Sequence, residues 1–162
     1  MANVLAGGKT SRLYKRLVYD LQIAQDVSAF EASAALSSQF IITSTARSGH
    51  TLSEIEKVIQ EEIDKLKADP PTDVEVQRAV NQFEASFLDR LEGAAGKADQ
   101  LNYYYTLTGN PDYFNEDVSR YKAVDAKDVQ TMGITYLKDN ARVVLSVVPV
   151  GKKELAATKG GK

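Results

Sequence analysis

Between Leu5 and Phe30 the apolar residues change period, and this constrains the fold more than any other feature of the chain. Leu13, Leu17, Leu21 and Ala24 recur at the three-to-four spacing of a helix face. Val27 to Ala32 alternates instead, which reads as a strand. Ala2 to Ala6 reads as the last turn of a helix that Gly7-Gly8 ends, because glycine tolerates the left-handed conformation found there. Thr10 or Ser11 is placed to cap the next helix by accepting a backbone N–H.

Beyond this stretch, Leu36-Ser37-Ser38 reads as a turn and Gln39 to Arg47 as a second strand, closing a hairpin. Phe40, Ile42, Ser44 and Ala46 should share one face, and Ile41, Thr43 and Thr45 the other. Ser48-Gly49 breaks the strand. A helix from Thr51 or Ser53 to about Lys67 presents Leu52, Ile55, Ile59, Ile63 and Leu66 inward, until Pro70-Pro71 stops it. Thr72 and Glu75 have capping-box spacing and open a long helix with Val76, Val80, Phe83, Phe87 and Leu91 inward. Gly93 and Gly96 should bend or interrupt it. Helices follow over 97–107, ended by Gly109-Asn110-Pro111, and over about 113–122. Asp125 should cap another, with Val129, Met132 and Tyr136 facing in. Val143 to Val148 is apolar on both faces and reads as a central strand of the sheet. The expected organisation is a single domain over residues 1–151, with 152–162 a polar tail or linker.

Composition narrows the function. The 162 residues carry a net charge of −2, so nucleic acid is not expected as a partner, since phosphate binding needs a basic surface. No apolar run approaches the roughly 20 residues of a membrane span, and no signal peptide is visible. The chain has no cysteine, which excludes disulfides, thiolate metal sites and cysteine nucleophiles.

The candidate chemistry is sparse. Gly8-Lys9-Thr10 invites a phosphate-loop reading, but that motif needs a glycine where Asn3 stands and a strand before the loop. His50 is the one histidine, and a peptidase zinc site needs two or three. Glu54, Glu56, Glu61, Glu62 and Asp64 fall on the polar side of an amphipathic helix and read as a solvated face. Tyr103-Tyr104-Tyr105 spreads over about 300° of a helix, so one or two of the rings at most can enter a core.

One resemblance runs through these pieces. Gly7-Gly8-Lys9-Thr10-Ser11-Arg12-Leu13-Tyr14, then Ile23-Ala24-Gln25-Asp26-Val27, then Thr72-Asp73-x-Glu75-Val76 and finally Tyr121 to Val129 occur in order. In this series the chain resembles the zinc metallopeptidases of the pitrilysin/insulinase/mitochondrial-processing-peptidase family (M16). Those proteins pair related α+β units, of which the first carries an inverted His-x-x-Glu-His zinc motif and the second has no metal. The chain is similar to the second, the inactive domain. The resemblance therefore implies an α+β fold of the LuxS/processing-peptidase metallohydrolase type, with an antiparallel-rich sheet covered on one side by helices. It also implies that the strands which normally precede the Gly-Gly break are missing here, an N-terminal truncation.

In many relatives the inactive unit supplies an arginine and a tyrosine to the reaction centre. The positions six and then seven residues on from Arg12 hold Val18 and Gln25, and neither replaces a guanidinium or a phenol. Arg16 and Tyr19 are two and one residues away from Val18. No catalytic or metal-ligating residue is thus expected, and Gln25 is the candidate substrate-binding residue, as a donor to a substrate carbonyl.

The expected role is a non-catalytic, substrate-binding and chamber-forming domain of a zinc peptidase acting on peptides or unfolded polypeptides. Zinc is expected in the catalytic domain, on the same polypeptide or a partner subunit. The alternative is a structural or assembly subunit without proteolytic function; a generic peptide-binding module that takes a strand at an open edge is a further option. Self-association through an uncovered sheet edge is also expected. The protein should be soluble, in the periplasm or cytoplasm for a bacterial parent.

Overall fold

The computed structural model describes residues 1–34 and 36–157. Its elements run α1 (Ala2–Ala6), α2 (Arg12–Tyr14) leading into a π-helical turn (Lys15–Asp20), β1 (Ala24–Ala32) and β2 (Gln39–Ala46). They continue with α3 (Leu52–Ala68), α4 (Asp73–Arg90), α5 (Ala94–Thr108), α6 (Phe114–Lys122) and α7 (Ala126–Tyr136). Two 3₁₀ turns, Asp139–Ala141 and Lys153–Leu155, follow. The class is α+β, with an antiparallel sheet of two strands. The chain divides into two compact units, Met1–Pro71 with Lys127–Lys162, and Thr72–Ala126. The last residues of the expected tail, 158–162, lie outside the described residues.

The first unit is built on the period change. β1 and β2 pair with Ala29 opposite Ile42 and Phe30 opposite Ile41, so the two expected faces of β2 are the observed ones. Val27 and Ala24 are buried under α1, α2 and the π-helical turn, while Ser28 and Thr43 on the opposite face meet solvent and share a hydrogen bond of 2.8 Å. Leu5, Leu13, Leu17 and Leu66 are fully buried and form the centre of this core. Burying each contributes roughly 1.5–3 kcal/mol. Thr51 and Glu54 close a reciprocal capping box at the start of α3. At its far end Gln130 Nε2 of α7 donates to the carbonyls of Lys67 and Ala68, at 3.0 and 3.2 Å, satisfying groups that a helix end leaves open.

The second unit is an aromatic cluster held by three helices. Thr72 and Glu75 form the expected capping box of α4. Phe83 stacks on Tyr121 with centroids 3.5 Å apart, and Phe87 meets Phe114 edge-on. Of the three consecutive tyrosines only Tyr104 is buried. Its ring stands edge-on to Tyr113 and Phe114, and its hydroxyl donates to Asp117 Oδ2 at 2.8 Å. Loss of solvent around the hydroxyl, then the Asp117 hydrogen bond and charge, raise its pKa well above the ordinary tyrosine range.

Four expectations need correction. Residues 143–148 form no strand: Val143, Leu145 and Val147 are 95, 84 and 83% exposed. A strand apolar on both faces needs neighbours at both edges, and β1 and β2 do not supply them. In α7, Val129 and Gly133 are buried whereas Met132 and Tyr136 are exposed, because the helix meets Leu66 of α3 along the glycine side. Ser11 precedes α2 but its hydroxyl donates to the Gly8 carbonyl at 2.6 Å instead of accepting a helix N–H. Glu62 is not on the solvated face; it is buried, with Lys65 Nζ donating to it at 2.6 Å.

Candidate functional site

From Lys15 to Asp26 the backbone leaves regular geometry three times in succession. The helix widens first: Leu21 N–H donates to the Arg16 carbonyl and Ile23 N–H to that of Leu17, both at 3.0 Å, each reaching further back than an α-helix bond. This widening allows Leu17 and Val18, neighbours in sequence, both to face the core. Gln22 then takes φ 54°, the left-handed region, which costs a residue with a Cβ roughly 1–2 kcal/mol. Last comes a β-bulge: Ala24 pairs with Ala46 while Asp26 pairs with Thr45, and Gln25 has no residue opposite it.

Side chains lock the bulge from both strands. Gln25 Nε2 donates to the Ala46 carbonyl at 3.0 Å, and Arg47 Nε returns the contact to the Ala24 carbonyl at 3.0 Å. Ser44 Oγ donates to the Asp26 carbonyl at 2.7 Å and Thr45 Oγ1 to Asp26 Oδ1 at 3.2 Å. Gln25 is exposed, so its amide works as a clamp on β2 at the solvent surface. A glutamine amide carries two donors and an acceptor, and one contact does not exhaust it. Strained backbone and bulges of this kind concentrate at functional sites.

The two neighbours of the candidate positions differ sharply. Val18 is buried and cannot reach a ligand, whereas Tyr19 is exposed. Arg16 is half-buried, and its Nε is enclosed without a hydrogen-bond partner among the described residues. Arg47 and Gln22 were not singled out by sequence, and Asp26 entered only as part of the motif Ile23 to Val27. A bulge leaves no compositional mark, and Gln22 stands where a positive φ favours glycine.

Elsewhere, His50 Nδ1 is 3.8 Å from Glu54 Oε2 at the start of α3. The backbone N–H of Thr51 (2.7 Å) and its hydroxyl (3.0 Å) both donate to Glu54 and hold its carboxyl below the usual range. Arg142 engages Glu56 and Gln60, so those side chains serve a structural contact. No group of three or more His, Cys, Asp or Glu able to hold a metal occurs among the described residues. The residues present do not fit a zinc ion, which takes three or four ligands. No helix among the described residues is long and apolar enough to cross a membrane.

The family model described as peptidase M16 inactive domain matches residues 1–83. A protease from Helicobacter pylori superposes with a TM-score of 0.76 and 20% identity, covering 86% of this chain and 33% of that one. The inactive peptidase domain of a protein from Bordetella parapertussis, named as a zinc protease, gives 0.75 and 19%, covering 88% and 76%. A chain of complex III2 from Candida albicans, Inz-5 bound, gives 0.69 and 15%, covering 83% and 34%. At these identities the likeness is one of fold, and the chain spans about a third of the length of the Helicobacter protease. No curated protein matches it.

Proposed function

This chain belongs to the peptidase M16 inactive-domain family, and we propose that it is the non-catalytic, substrate-binding and chamber-forming domain of a zinc-dependent peptidase acting on peptides or unfolded polypeptides. One observation carries the reading: the family match covers residues 1–83, which contain the whole strained segment and its bulge. Gln25 is its substrate-facing residue, donating to a substrate backbone carbonyl beside the bulge. Zinc and the water-activating carboxylate belong to a separate catalytic domain, on the same polypeptide or on a partner subunit. Self-association belongs to the same reading, because both strands of a two-stranded sheet are edges.

Two measurements test it. A dialysed, tag-free sample should contain no stoichiometric zinc by mass spectrometry and cleave no unfolded peptide; zinc bound one to one would end the reading. Added to a zinc-bearing M16 catalytic domain from its own polypeptide, the chain should lower the KM for an unfolded peptide, and Gln25→Ala should raise that KM without changing kcat.

A second reading has its own support. The fold is shared with a chain of complex III2, and Val18 and Gln25 stand where the family's arginine and tyrosine would be. A role as an assembly subunit without proteolysis follows if the chain binds a partner stoichiometrically and leaves peptide turnover unaffected.

A further inference from the structure

Ala24 and Ala46 face one another at the bulge, and a side chain from across the hairpin takes the carbonyl of each. Gln25 Nε2 donates to Ala46 and Arg47 Nε to Ala24, both at 3.0 Å. Paired residues of an antiparallel ladder lie roughly 4.5–5.5 Å apart at Cα, less than two residues of extended chain. The two side chains are therefore anchored side by side. Arg47 is held a second time, since its backbone N–H donates to the Ile23 carbonyl at 2.9 Å. Alternation past the end of β2 puts Arg47 in the row of Thr43 and Thr45, both exposed.

Arg47 lacks a counter-ion. It is half-buried, and Nη1 and Nη2 have no hydrogen-bond or ion-pair partner among the described residues. Asp26 has its Oδ1 on Thr45 Oγ1 instead. Arginine taken partly out of water is as a rule paired. The unpartnered nitrogens of Arg16 and Arg78 are enclosed, whereas those of Arg47 are not, so a ligand can reach them. With Nε committed to Ala24, the terminal nitrogens form an end-on fork whose parallel N–H groups match the two oxygens of a carboxylate. Fixed through Nε and its own backbone, the fork loses little freedom on binding.

We propose that Arg47 is a second peptide-binding residue beside Gln25. Its fork takes a carboxylate of the peptide, at the C-terminus or on an acidic side chain, while Gln25 donates to a backbone carbonyl of the same peptide. This rests on the substrate-binding role proposed above and adds a charge preference to it.

The experiment uses the full 162-residue chain and acetylated peptides of one neutral sequence. One has a free C-terminus, one a C-terminal amide, and one the amide with a single internal glutamate. Nuclear magnetic resonance follows the Arg47 Nε–H and the Gln25 side-chain amide. Both signals should move with the free acid, which should bind on the order of tenfold more tightly than the neutral amide. Arg47→Gln should remove that preference, and Arg47→Lys, a point charge without a fork, should keep only part of it. If the glutamate peptide binds as the free acid does, the fork accepts side-chain carboxylates; if it binds as the neutral amide does, the fork reads the C-terminus. Carboxylate peptides that move the Gln25 signals but bind the wild-type chain no more tightly than the amide overturn the role of Arg47 alone. So does a preference that survives Arg47→Gln. Gln25 signals that none of the peptides moves overturn this inference and the substrate-binding role together.

Discussion

Gly96→Ala pits helix propensity against tertiary packing, and the two predict opposite signs. Gly96 lies within α5, where alanine is preferred to glycine by roughly 1 kcal/mol. Propensity alone therefore predicts a more stable protein. In the folded chain, however, a Cβ built on Gly96 falls 1.8 Å from the Arg90 carbonyl oxygen and 3.0 Å from its carbon. Contacts below 3.0 Å do not occur, so the start of α5 and the end of α4 must separate by at least 1.2 Å (3.0 minus 1.8). The obstacle is backbone and cannot rotate away. Overpacking of this kind costs about 1–3 kcal/mol or more. A backbone shift of this size lies at the upper end, so after the propensity gain the net expectation is destabilisation by about 2 kcal/mol. Five of the eight tyrosines lie between residues 103 and 121, so near-ultraviolet circular dichroism during urea unfolding reports on this unit. Hydrogen exchange of the α5 amides supplies a second reading. An alanine variant as stable as the wild type, or more so, would refute the argument and show that the α4–α5 corner relaxes freely.

Three further outcomes follow from single sites. Gln22→Gly should raise stability by up to about 1 kcal/mol, since glycine adopts the left-handed region without a steric cost, and Gln22→Val should lower it; thermal melting of both decides. Tyr104→Phe removes a buried hydroxyl bonded to Asp117 and should cost roughly 1–2 kcal/mol at neutral pH. The folded-state pKa of Tyr104 is raised above its unfolded value of 10.0, so the hydroxyl's contribution is fully present below pH 10 and falls as pH rises beyond it. The phenylalanine variant should therefore lose less stability than wild type between neutral and strongly alkaline pH in urea titrations. Leu66→Ala, at a fully buried position against α7, should cost about 2–5 kcal/mol by the same titration.

Legibility followed the range of the interaction that decides each feature. The capping box at Thr72, the hairpin faces of β2 and the single buried tyrosine of Tyr103–Tyr105 each depend on residues close in sequence or on simple periodicity. The first two were readable from the residues, and for the third the limit of one or two buried rings was. So was the Gly7-Gly8 break, where Gly8 has φ 85°. Features set by distant partners, or by a choice between two local ones, were not readable. Ser11 has the chemistry of a cap, but its hydroxyl donates to the Gly8 carbonyl three residues back. Glu62 has the chemistry of a solvated face, yet the arc of α3 turned inward includes it. The candidate site shows the same division. Its segment was visible as a sequence, but the π-helical turn, the left-handed Gln22 and the bulge at Gln25 arise from packing Leu17, Val18 and Val27 into one core.

By itself, then, the sequence determined an α+β chain with no cysteine, one histidine and the ordered motifs of an M16 inactive domain, because periodicity, caps and ligand counts are local or compositional quantities. Only the tertiary structure decided what the apolar run Val143–Val148 does. From its residues it belongs in the middle of a sheet; in the fold it stands exposed, because a strand acquires its state from neighbours that its own sequence does not contain. The same reason separates what residues and fold say of Gln25. The resemblance set it at the position of a family tyrosine, and the folded hairpin put its amide on the Ala46 carbonyl, at a bulge that exists only when two strands are paired.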